Sequence, residues 1–155
     1  MRKEAERLRT LAEAMARDLE GNILPFWARE AVDEEHGGFL GFLSEAGVPS
    51  PLAPKGGVLC ARILWTYSAA LRRTADPAHR RMADRAFDEL RGRFWDTEHG
   101  GTYWLLDGFG RPRSDRKQTY ALAFSLYGLA EYHRATGSAA ALQRAVELYR
   151  AIEAR

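Results

Sequence analysis

The sequence predicts an all-α fold of the α/α toroid kind, in which outer and inner helices alternate. Three observations carry that reading. Segments with one apolar stripe alternate along the chain with segments that are apolar or small nearly all the way round. The turn DEEHGG at residues 33–38 returns as DTEHGG at residues 96–101, a spacing of 63. Lys55 and Lys117, 62 apart, precede the two all-round apolar segments.

The elements follow in order. From residue 4 to residue 20, Leu8, Leu11, Ala12, Met15 and Leu19 recur at three- and four-residue steps, with Arg7, Arg9, Glu13 and Arg17 between them, which predicts an amphipathic outer helix. GVLCARILWTYSAAL (57–71) is the first inner helix, expected to be buried on both sides and interrupted by Arg62. A second outer helix spans 77–91, with Met82, Ala83, Ala86, Phe87 and Leu90 facing inward, Pro77 in its first turn and Asp76 as N-cap. TYALAFSLYGLAEY (119–132) is the second inner helix, interrupted by Ser125 and Glu131. After the break at Thr136, Gly137 and Ser138, a last outer helix carries Leu142, Ala145, Val146, Tyr149 and Ile152 on one face.

Short extended pieces follow each Gly-Gly pair, GGFLGFL and GGTYWLLD, and Trp65 and Tyr127 share the 62-residue offset inside the inner helices. Such repeats cannot bury their own faces and must stack on neighbours. An open α-solenoid fits less well, because the familiar helix-pair repeats have periods of about 34 to 47 residues and no glycine hairpin.

Composition narrows the function classes. A chain of 155 residues is long enough for one domain, and 46% hydrophobic with 28% charged residues fits a globular protein. The net charge of +2 is spread among arginines balanced by nearby acids, so neither nucleic acid nor an acidic membrane is an expected partner. Cys60, the single cysteine, lies in an apolar run and reads as packing. No run approaches the ~20 apolar residues of a membrane span, and no signal peptide is evident, so a cytoplasmic location is expected.

ILPFW (23–27), EHGGF (35–39), KGGVLCARILWTYSAA (55–70), DTEHGGTYW (96–104) and KQTYALAFSLYGLAEYHRATG (117–137) lie in this order along nearly the whole chain. Together they resemble the N-terminal part of the N-acylglucosamine 2-epimerase family, most nearly its cellobiose 2-epimerase branch. The resemblance implies an (α/α)6 barrel, of which residues 1–155 would be a single incomplete domain with about five of some twelve helices. It implies a sugar 2-epimerase with a mono- or disaccharide substrate and no cofactor. It also implies that the acid/base histidines stand on inner helices beyond this part, so the chain by itself is expected to be inactive and to self-associate or pair with a complementing C-terminal half.

Epimerisation beside a sugar carbonyl needs two acid/base groups flanking one carbon and a fixed donor for the enediolate oxygen. Arg62, a guanidinium in an apolar helix, must find an acidic partner or face a polar cavity. By resemblance it is the family's active-site arginine. Tyr120 matches the active-site tyrosine that hydrogen-bonds the sugar, against the plainer reading of an aromatic core residue. Trp65, Tyr103 and Trp104 could stack on sugars or simply pack. Lys55 and Lys117 are pocket cations or capping and pairing groups. His36 and His99 read as turn residues, His79 as solvent-facing, and His133 as a helix-end cation. No histidine pair has metal-ligand spacing. The DEEH and DTEH acids do not converge as a glycosidase pair would. Two rival functions remain: an aldose–ketose isomerase of the same superfamily, and a non-catalytic helical interaction module whose last inner helix leaves an apolar flank uncovered.

Overall fold

The computed structural model describes residues 2–50 and 52–154. They fall into two compact units, one up to Val32 and one from Asp33 onward.

The first unit is helical from Arg2 to Glu30. Helix α1 (Arg2–Asp18) runs into one wide π-helical turn (Leu19–Ile23) and then into α2 (Leu24–Glu30). The wide turn has a local cause. Pro25 has no N–H to give to the helix, and at Leu24 the ladder reaches back five residues to the Leu19 carbonyl. The expected helix over 4–20 is therefore present, two residues earlier at each end, while α2 is too short to announce itself by periodicity. The stripe of α1 is amphipathic but uncovered within this unit: Leu8, Leu11 and Met15 are exposed.

The second unit is built from two helical hairpins. Helix α3 (Gly57–Thr74) turns back into α4 (Pro77–Gly92), and α5 (Thr119–Thr136) into α6 (Ala139–Glu153). Helix α3 packs on both α4 and α5, and α5 on α6, so α3 and α5 form the inner layer. The two corners are made alike. A left-handed residue, Ala75 or Gly137, ends each inner helix, and Asp76 or Ser138 then caps the outer one, accepting from Ala78 N at 2.7 Å and Ala141 N at 3.3 Å. The core between the layers holds Leu64, Tyr67, Phe87, Leu90, Leu122, Leu129, Tyr132 and Leu148.

The repeated turns have the same wiring. Asp33 Oδ1 accepts from the backbone N–H of Glu35 (3.1 Å) and His36 (2.8 Å), and Asp96 Oδ1 from Glu98 (2.9 Å) and His99 (3.0 Å). The other oxygen of each carboxylate takes a lysine from the start of the following inner helix: Lys55 Nζ to Asp33 at 2.7 Å, Lys117 Nζ to Asp96 at 2.6 Å. Both glycines of each turn have positive φ, which side chains other than glycine rarely adopt.

A second repeat follows each turn. Ser44 and Asp107 open tight hairpins in which Gly47 N and Gly110 N bond back to their carbonyls, closed by bridges Leu43 with Pro49 and Leu106 with Pro112. The two-residue strands β1 (Lys55–Gly56) and β2 (Leu105–Leu106) pair antiparallel, Lys55 opposite Leu106 and Gly56 opposite Leu105, joining the two repeats just before α3 begins.

Two expectations need correction. The inner helices are not dry on both sides: each buries one face, while Arg62 of α3 and Tyr120, Ala123 and Tyr127 of α5 stay open, because the inner layer borders a hollow. The last outer helix does not bury the face expected of it: α6 turns Ala141, Ala145 and Leu148 inward and leaves Leu142, Val146 and Tyr149 exposed, while α5 does keep an apolar flank open at Tyr120 and Tyr127.

Candidate functional site

Six residues on the open faces of the inner layer line a cavity of about 670 Å³: Arg62, Trp65 and Thr66 from α3, Ala123, Phe124 and Tyr127 from α5. Spacing of three and four residues puts each trio on one helical face. The two helices approach closely at Gly128, where a Cβ would sit 2.6 Å from the Ala61 carbonyl oxygen. That close approach brings Trp65 and Tyr127 together, their rings 5.0 Å apart and within 9° of parallel.

Arg62 is exposed to this cavity and pairs with no carboxylate among the described residues. Of the two outcomes open to a guanidinium in an apolar helix, it faces the cavity. The Tyr127 phenol beside it is held above its ordinary pKa by burial and by the charge of Glu131, with Arg62 pulling the other way. Tyr120, 60% exposed, lies one turn before Phe124 on the same face of α5, and the two rings meet edge to face at 4.9 Å. Sequence spacing and structure thus bring Arg62 and Tyr120 to the same side of the inner layer. Phe124, Thr66 and Ala123 carry no signal of their own in the sequence beyond falling one turn from Trp65, Tyr127 or Tyr120.

The other polar interruptions of the inner helices are internal. Ser125 Oγ bonds Thr102 Oγ1 at 3.1 Å, and the buried Glu131 carboxylate bridges Arg72 at 2.7 Å and Arg134 at 2.9 Å. Lys55 and Lys117 are turn clamps and not pocket cations, with Lys117 also 4.1 Å above the Tyr103 ring. Burial alone would raise the Asp33 carboxyl, but the bonds from Lys55, His36 N and Glu35 N, with the lysine charge, hold it below the usual carboxylate range. For Asp96 the Lys117 bond leads, and the carboxyl is lower still. These acids are committed to the turns.

None of the four histidines lines the cavity. His36 packs edge-on to Phe109 at 5.1 Å, and His99 is out in solvent at its turn. His79 is half-buried, not solvent-facing, with Nδ1 2.8 Å from Thr74 Oγ1, because it folds back over the α3–α4 corner. His133 Nδ1 lies 3.0 Å from the Ser138 carbonyl oxygen at the other corner. Cys60 is packed against the Ala86 carbonyl, and burial raises its thiol well above the ordinary value. Among the described residues no three His, Cys, Asp or Glu side chains cluster as a metal site, and no helix is long and apolar enough to cross a membrane.

An open guanidinium amid aromatic rings on paired inner helices is a feature that relatives can be asked to share. Residues 37–155 match the N-acylglucosamine 2-epimerase (GlcNAc 2-epimerase) family. The chain belongs to that family. The cellobiose 2-epimerase of Bacteroides fragilis is 46% identical over 143 residues, 92% of this chain and 36% of the relative. The solved cellobiose 2-epimerase of Spirochaeta thermophila superposes with a TM-score of 0.90 at 38% identity, covering 96% of this chain and 36% of that one. A solved D-mannose isomerase superposes with a TM-score of 0.74 at 26% identity over 83% of this chain and 33% of its own. The chain therefore spans a little over a third of the length of these 2-epimerase relatives, and its helices are part of an (α/α)6 barrel.

Proposed function

We propose that this chain forms a substrate-holding wall of a cytoplasmic sugar 2-epimerase, which removes the C2 proton of a reducing-end sugar and returns it to the opposite face through a cis-enediolate, without a cofactor. Arg62 binds a substrate oxygen and steadies the charge that develops on the enediolate, where a fixed cation in a partly dry site acts most strongly. Tyr120 hydrogen-bonds the sugar beside it. The observation that carries this reading is the exposed Arg62 guanidinium, which meets no carboxylate among the described residues, in an aromatic-lined cavity of about 670 Å³ between α3 and α5.

This reading puts the two flanking acid/base groups outside the four histidines of this chain, and it is supported by the lining of the cavity, which includes none of them. The 155-residue polypeptide alone is expected to bind cellobiose and leave it unchanged. Proton NMR of cellobiose incubated with it tests this: a growing mannose-type anomeric signal overturns the inactivity, and sugar binding unaffected by Arg62→Gln overturns the site.

The likeness to a D-mannose isomerase favours a second reading, in which the same enediolate returns its proton at C1. A fructose-type product from the active assembly would select it. The open row Leu142, Val146 and Tyr149 supports association with a complementing half or a further copy. A monodisperse monomer in light scattering at high concentration would count against association.

A further inference from the structure

We infer that Glu89, Arg93 and Gly110 form a proton-controlled latch: the ionised Glu89 carboxylate keeps Arg93 wedged between the turn at 33–38 and the hairpin at 107–112, and a proton on Glu89 lets the hairpin go. The latch stands apart from the sugar site, and either can fail without the other.

The two repeated turns share a lysine clamp, but the first carries more. Three cations from separate places converge on its carbonyls: Lys55 on Gly37, Arg85 on Asp33 at 2.6 Å and on Gly38 at 3.0 Å, and Arg93 on His36. In α6 the places that correspond to Arg85 and Glu89, 62 residues on, hold Glu147 and Ala151, so the second turn has no counterpart of either.

Arg93 does more than cover a carbonyl. A Cβ at Gly37 would lie 3.0 Å from one nitrogen of its guanidinium, and a Cβ at Gly110 2.7 Å from another. The guanidinium therefore fills the space between the first turn and the second hairpin, where His36 also meets Phe109 edge to face. The matching glycine of the first hairpin, Gly47, would meet nothing within 4 Å. One hairpin is wedged and the other is not.

Glu89 is the acid behind the wedge. Its side chain is only 8% exposed, with Oε2 3.8 Å from Arg93 Nε. Oε1 makes no hydrogen bond among the described residues and borders a cavity of about 10 Å³ that Lys55 and Cys60 also line. The groups that face this carboxyl are Asp33 from the turn, Lys55 from β1, Cys60 from α3, Arg85 from α4 and Arg93 just beyond it. Burial raises the carboxyl above its ordinary value, Arg93, Lys55 and Arg85 oppose the rise, and Asp33 adds to it. Arg93 favours the ionised form while it stays close, so by linkage the protonated form favours Arg93 swung away. The folded carboxyl also takes its proton more readily than the unfolded one. Its share of stability is thus full below the unfolded pKa and is lost as pH rises through the folded value, so protonating Glu89 loosens the hairpin without weakening the fold.

Amide hydrogen exchange of the full chain, read by NMR from about pH 7.5 down to about pH 5 and corrected for the intrinsic rate, tests the latch. The N–H groups of Asp107, Gly110 and Arg113, bonded within the second hairpin, should lose protection roughly five-fold or more, the small end of a coupling between two groups. Their equivalents in the first hairpin, Ser44, Gly47 and Ser50, should change by less than about two-fold. Glu89→Gln keeps the shape and removes the charge, so its second hairpin should exchange at the higher pH as the wild type does at the lower, with no further pH dependence. Unchanged protection of the second hairpin in the wild type overturns the latch, and so does an equal loss in both hairpins; neither readout needs a variant. A pH dependence that survives in a folded Glu89→Gln protein assigns the proton to His36 and overturns the latch as well.

Discussion

Replacing Lys55 by methionine keeps the length of the side chain and removes the cation from a pair in which Lys55 and Asp33 are each only 3% exposed. Breaking a buried pair from one side costs about 3–5 kcal/mol, and the lower end applies because the carboxylate keeps its two backbone N–H donors. For a chain of this size about 3 kcal/mol is a fall in Tm of roughly 10 °C, which thermal unfolding followed at 222 nm resolves easily. The acid limb moves as well. Asp33 is held below its unfolded pKa, so it contributes stability above that pKa and loses it as pH falls through the lower folded value. Without Lys55, burial is opposed only by the backbone donors. The carboxyl rises, and acid unfolding begins at higher pH. A second substitution, Asp33→Asn, should recover part of the loss, so the pair shows a coupling free energy of about 1 kcal/mol or more in a double-mutant cycle. A Lys55→Met protein melting within about 2 °C of wild type, with its acid limb unmoved, would refute the view that lysine clamps hold these turns.

Other consequences follow from single contacts. Gly38→Ala places a Cβ 2.5 Å from the buried Glu89 carboxyl at φ +66°, and should cost more than 1 kcal/mol in urea unfolding, whereas Gly92→Ala, in helical backbone with open space around it, should add about 0.5 kcal/mol. Gly128→Val should separate α3 from α5 and abolish the near-ultraviolet dichroism of the Trp65–Tyr127 stack, because the new side chain meets the Ala61 carbonyl. Tyr132→Phe forfeits the 2.6 Å bond to Asp84 and should destabilise by about 1–2 kcal/mol by chemical denaturation. Burial raises the Tyr67 phenol to about 12, so folding stability should be full below pH 10 and fall as pH rises through that range, an alkaline loss that Tyr67→Phe should reduce.

Much of this architecture is legible in the residues. The 62- to 63-residue period, the corner glycine at 137, the caps at Asp76 and Ser138 and the one-faced pattern of α4 are local signals that the structure realises, whereas α6 buries Ala141, Ala145 and Leu148 in place of the face its spacing suggests. The spacing of Ser44, Gly47 and Pro49 against Asp107, Gly110 and Pro112 is equally readable and announces the second hairpin repeat. The lysine clamps are not readable from pattern alone, because each spans about twenty residues and joins groups that elsewhere would be exposed. The inner helices mislead for a different reason. Aromatic side chains facing a hollow look like core in a sequence, and only the coordinates separate Tyr120 and Tyr127 from Tyr67 and Tyr132. The Arg62 guanidinium is the exception, since a charge in that setting already requires a polar surrounding or a counter-ion.

The clamps also say where one module ends. Because Lys55 and Lys117 each tie the exit of one outer segment to the entry of the next inner helix, cutting the chain between a Gly-Gly turn and its lysine severs a buried bond. The corners at Ala75 and Gly137 are instead bridged by short-range bonds, Thr74 with His79 and His133 with Ser138. Anyone lengthening, shuffling or permuting this array should splice at those corners, where a join disturbs only short-range contacts.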